Sequence, residues 1–114
     1  MRIAYIVGPY TGKTLAEMLR NISAASHVAK EFWRRGYAVI CPHMNSKMFD
    51  DVAPYKAFTE GYLEILTRLT KNDLVVALPN WEDSPGSIDE ISKAALLAIP
   101  VVYLDKEGYG SLDD

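Results

Sequence analysis

The chain has 114 residues, 49% of them apolar and 24% charged, with a formal net charge of −3. That balance fits one globular domain around a single core and excludes the basic footprint of a protein that grips duplex nucleic acid. The lone cysteine, Cys41, excludes an internal disulfide framework and suits a reducing cytoplasm, and no apolar run is long enough to span a bilayer.

The first element is IAYIVG, Ile3 to Gly8, a β-rich run that ends in a glycine and reads as a buried strand. The turn that follows, GPYTGKT, looks almost like a P-loop, but only three residues separate Gly8 from Gly12 where that pattern needs four. A nucleotide triphosphatase also needs an acidic metal partner at the end of a nearby strand. Ala77-Leu78-Pro79 supplies none. Two readings of the turn remain: a tight strand-to-helix connection permitted by its glycines, or a loop shaped around a small polar ligand.

Thr14 and Glu17 have capping-box spacing and open a helix expected to run to Arg35. Its inner face should hold Ile22, Ala25, Val28, Ala29, Phe32 and Trp33, with His27 packed along it and Gly36 as the stop. A second strand is expected over Tyr37 to Pro42, then a polar loop to residue 55 and a helix from Lys56 to Thr70. DLVVALP, Asp73 to Pro79, is apolar on both faces, as a central parallel strand should be. A long turn, NWEDSPG, leads to a third helix over Ser87 to Ala98 and a fourth strand over Pro100 to Asp105. Residues 106–114 read as a polar tail beyond a single domain at 1–105.

Strand and helix alternate throughout, so right-handed crossovers force a parallel sheet with helices on both faces. The expected class is α/β: a three-layer Rossmann- or flavodoxin-like domain with a four- to five-stranded parallel sheet. Ligands of such folds bind beyond the carboxyl ends of the strands. That edge collects Tyr10, Thr11, His43, Asn80, Trp81 and Ser84, whereas Asp73 begins its strand and belongs to the opposite edge. No His, Cys or carboxylate spacing looks like a zinc site.

Gly8-Pro9-Tyr10-Thr11-Gly12, together with Trp81-Glu82-Asp83-Ser84-Pro85-Gly86 leading to Glu90 and then Ala95 and Ile99-Pro100-Val101, resembles the nucleoside 2-deoxyribosyltransferase-like family. That family includes deoxynucleoside 5′-monophosphate N-glycosidases. The resemblance runs in order over residues 3–104. It implies cleavage or transfer at an N-glycosidic bond of a nucleoside or its 5′-monophosphate, without a cofactor, by a cytoplasmic homo-oligomer. Glu90 matches the family's nucleophile, and the chemistry would follow the two-step retaining logic of glycosidases. Glu90 is expected in the first turn of its helix, where the macrodipole would keep it ionised. Ser87 and Glu90 also have capping-box spacing, so spacing alone leaves cap and nucleophile both open.

By the same resemblance, Gly8, Pro9, Thr11 and Gly12 form the first substrate loop, and Tyr10 matches a tyrosine near sugar and nucleophile. Ser84, Gly86 and Ser87 would hold a sugar hydroxyl or a 5′-phosphate, with Ser84 favouring a nucleotide. The family's second acid falls nearest Glu64, a Glu where Asp is common. By position on the ligand edge, Trp81 would stack on a base, cover the pocket or pack over its own loop; His43 would contact the base or be structural; and Asn80 is a candidate substrate contact. Competing classes are a non-catalytic sensor that binds a nucleotide or ADP-ribose-like ligand, and an interaction domain with no ligand.

Overall fold

The computed structural model describes residues 1–105; the expected tail at 106–114 lies outside the described residues. The elements are β1 (Ile3–Val7), α1 (Leu15–Arg34), β2 (Ala38–Ile40), α2 (Pro42–Asn45), α3 (Tyr55–Leu66), β3 (Leu74–Ala77), a 3₁₀ turn (Trp81–Asp83), α4 (Pro85–Leu96) and β4 (Val101–Tyr103). The four strands form one parallel sheet in the order β2-β1-β3-β4. This is the Rossmann- or flavodoxin-like α/β architecture, with four strands.

Alternation along β1 divides the core. Ala4 and Ile6 face α1, where Ala25, Val28, Ala29 and Phe32 meet Leu74, Val76 and Leu104. Tyr5 and Val7 face the other way, onto Leu66 of α3 and Ile91 and Ala94 of α4. Each Val or Ile wholly removed from water contributes about 2 kcal/mol. Trp33, expected among the inner residues of α1, is 57% exposed, because Phe32 already fills that turn of the interface. His27 is exposed rather than packed.

α1 starts as its sequence indicates: Thr14 Oγ1 accepts from the Glu17 N–H at 3.1 Å. The Glu17 carboxylate accepts from the Lys13 N–H at 2.5 Å. It stops at Gly36, whose φ of 90° suits a residue without Cβ. The segment after β2 is not all loop, because Pro42 takes the first position of α2, where its missing N–H costs nothing.

At the amino end of the sheet, buried Asp73 accepts from the Ile3 N–H (2.9 Å), the Thr70 N–H (2.8 Å) and the Thr70 hydroxyl (3.1 Å). Those bonds tie β1 to β3 at the edge away from any ligand site. At the carboxyl end, Leu78 N–H donates to Val7 O at 2.8 Å. A Cβ on Gly8 would fall 2.9 Å from that of Leu78, so the close approach of the two chains requires glycine there.

Candidate functional site

β1 lies between β2, reached through α1, and β3, reached through α3 from the other face. The crevice at the carboxyl ends of β1 and β3 is therefore the switch point of the sheet, where ligands of this architecture bind. A cavity of about 330 Å³ occupies it. Its walls come from the first loop, from residues 42–53, from α3 and from the start of α4.

Glu90 provides the cavity's central carboxylate. α4 begins earlier than expected: its N-cap is Ser84, whose hydroxyl accepts from the Ser87 N–H at 3.2 Å, with Pro85 at the first helical position. Ser87 and Glu90 do not form a capping box, and Glu90 lies in the second turn, beyond the strongest part of the macrodipole. Its side chain turns inward, and Tyr5 donates a short hydrogen bond to Glu90 Oε2. The same hydroxyl lies 3.3 Å from the Tyr62 carbonyl.

The electrostatics follow from that burial. Desolvation pushes the Glu90 carboxyl up to about 7; the Tyr5 hydroxyl pulls it back in part, and the Asp89 charge adds to the rise. The expectation of a carboxylate held fully ionised at neutral pH is thus corrected, because burial outweighs the distant helix terminus. Tyr5 is shifted upward by burial first and by Glu90 second, so it stays protonated and donates. Burial, with the Glu90 charge second, also raises Tyr55.

The candidate residues divide into those that meet at the cavity and those that do not. Gly8, Tyr10, Thr11, His43, Ser84, Gly86, Ser87 and Glu90 all line it. Tyr10 does not touch Glu90; its hydroxyl accepts from the Met48 N–H at 3.0 Å and donates to Asp50 at 3.4 Å. The hydroxyl beside the carboxylate belongs instead to Tyr5. His43 is a buried tie: Nε2 is 2.9 Å from the Pro9 carbonyl, which can only accept, so Nε2 carries the proton. Burial lowers its pKa against the pull of the Pro9 and Gly8 carbonyls. Asn21 braces the same loop through the Tyr10 and Thr11 carbonyls, at 3.2 and 3.1 Å.

Pro9, Gly12, Asn80, Trp81 and Glu64 do not line the cavity. A Cβ on Gly12 would fall 2.9 Å from Glu17 Oε2, so that glycine makes room for the α1 cap. Trp81 packs on Tyr103, with ring centroids 5.5 Å apart, and covers its own turn. Glu64 is exposed and paired with Arg68 at 2.7 Å, one turn along α3. Leu63 and Leu66 face inward on that helix, which turns Glu64 out.

Tyr5, Phe49, Asp50, Tyr55, Phe58 and Tyr62 complete the surroundings and were not singled out in the sequence. Tyr5 was findable: a tyrosine inside an apolar strand needs a partner for its hydroxyl. Among the described residues no group of three or more His, Cys, Asp or Glu is placed to hold a metal ion. No helix among them is long and apolar enough to cross a membrane.

Fold and site together define a class: a small parallel α/β domain with a carboxylate–tyrosine pair in a switch-point cavity. Residues 2–103 match the family described as a domain of unknown function, DUF4406, and the chain belongs to that family. No curated protein matches the chain.

Proposed function

We propose that the protein cleaves or transfers the N-glycosidic bond of a nucleoside or nucleoside 5′-monophosphate through a glycosyl ester on Glu90. The observation that carries the reading is the Glu90 carboxylate, held by the Tyr5 hydroxyl on the wall of an aromatic-lined cavity. In the first step a Glu90 oxygen bonds to the anomeric carbon as the carbon–nitrogen bond breaks. The bonding pair leaves with the base, which takes a proton from water. In the second step water, or a second base, displaces the carboxylate from the same carbon and restores it. In the hydrolytic case the net change adds OH to the sugar and H to the base.

Several features support this. Tyr5 holds one carboxylate oxygen and leaves the other for attack. Tyr55, Phe58 and Tyr62 offer flat apolar surface for a base. Ser84 and Gly86 stand at the start of a twelve-residue helix, where the positive end of the helix dipole favours an anion such as a 5′-phosphate. Exposed Trp33 and Leu96 support a homo-oligomer. A second reading, a nucleotide-binding sensor without turnover, draws on Glu64, which stands outside the cavity and leaves unfilled the second acid of the nucleoside 2-deoxyribosyltransferase-like family that the sequence resembles.

The test is release of free base from a panel of nucleosides and 5′-monophosphates. Glu90→Ala should lower it at least about a thousandfold while the chain stays folded. Undiminished release would end the assignment. Binding without release, seen as a thermal shift, would favour the sensor.

A further inference from the structure

Ser87 is 1% exposed, and its hydroxyl is buried with no hydrogen-bond partner among the described residues. Its backbone N–H is satisfied by Ser84, so only the side chain is left over. Both Ser87 and Glu90 line the cavity, three residues apart and so on one face of α4. A buried hydroxyl without a partner is costly, and an alanine would fill the same space without that cost. The serine therefore calls for a partner brought by the ligand.

We infer that Ser87 recognises the hydroxyl on the sugar carbon next to the anomeric centre, so that the protein prefers ribo- over 2-deoxyribo-substrates. This deepens the glycosidic reading and rests on it. If Glu90 attacks the anomeric carbon, the groups closest to the attack are the ring oxygen, the base and the substituent at the neighbouring carbon. The ring oxygen loses acceptor strength as positive charge develops on it. The 2-hydroxyl both donates and accepts, as the serine does, and hydrogen bonds to it strengthen in the transition state. A site built to bond a substrate hydroxyl rejects the analogue that lacks it, because the site's own polar group is then left unpaired.

The test pairs ribonucleoside 5′-monophosphates with their 2-deoxy partners and compares kcat/KM for base release. The unaltered protein should favour the ribo member at least about tenfold. Ser87→Ala should lower that ratio at least about tenfold, mainly through loss on the ribo substrate, with its unfolding temperature no lower. If release depends on Glu90 but the ratio is the same in both proteins, the Ser87 inference is overturned and the glycosidic reading stands. If no base is released from any substrate, the glycosidic reading fails, and thermal-shift titrations with the same pairs decide on Ser87. A ribo preference lost in Ser87→Ala then supports its role; equal binding of both sugars, or none, overturns it.

Discussion

The two ends of the sheet each hold a carboxylate sheltered from water, and the two behave in opposite ways. At the amino end burial acts to raise the Asp73 pKa, but the Thr70 and Ile3 N–H groups, the Thr70 hydroxyl and the Arg2 charge overcome it and hold the group below its ordinary value. At the carboxyl end Glu90 has, among the described residues, a single side-chain donor, Tyr5, and burial wins. The difference is the number of donors that face the charge. An acid whose oxygens are fully engaged acts as a brace. An acid left short of partners beside a cavity retains the capacity to react.

The largest effect expected from breaking this contrast is at Asp73. Asp73→Ala strands three donors at the β1–β3 junction and should destabilise the fold by about 3 kcal/mol in urea unfolding. A loss below about 1 kcal/mol would mean that the junction does not depend on those bonds. The pH sense is set by the depressed folded pKa. The stabilisation is present above the unfolded value and is lost as pH falls through the folded one.

Glu90 should show the reverse. Its folded pKa, about 7, lies above the ordinary 4.5. Stability is therefore fully present below about 4.5 and is lost as pH rises through about 7. Glu90→Gln removes the buried charge and should be more stable than the unaltered protein by about 2 kcal/mol at pH 8, with no advantage at pH 4. A gain that did not vary with pH would point to packing instead of charge.

The smallest expected change sharpens the Tyr5–Glu90 pair. An attacking carboxylate must be ionised, so kcat/KM should rise with pH through about 7. Because the Tyr5 hydroxyl lowers the Glu90 pKa, Tyr5→Phe should move that rise to higher pH. A profile that falls through the same range would make Glu90 an acid and not a nucleophile.

How much of this was legible in the sequence depended on the scale of the signal. Alternation of strand and helix, with β3 apolar on both faces, was enough for the parallel sheet and for the opposite edges on which Asp73 and the candidate loops lie. α2 was missed because Pro42 serves equally as a strand end and as a first helical residue, and nothing local decides between them. The cap of α4 was placed three residues late because Ser84 and Ser87 are both good caps. Pro85, directly after Ser84, was the better signal. That shift moved Glu90 out of the first turn and changed the physics of its charge. Trp33 and Glu64 show the limit of periodicity: the register of a helix against its neighbours decides which residue at the boundary of a stripe turns inward. Tyr5 escaped notice inside a strand that reads as wholly apolar, although it donates a hydrogen bond to the Glu90 carboxylate.

The most direct test of the glycosyl-ester account is to quench the protein in acid during turnover of a 5′-monophosphate and weigh the peptide that bears Glu90. The account predicts added mass equal to the nucleotide less its free base on that peptide, absent in Glu90→Gln. Continued release of base by Glu90→Gln, with no added mass on the Glu90 peptide of the unaltered protein, would contradict it.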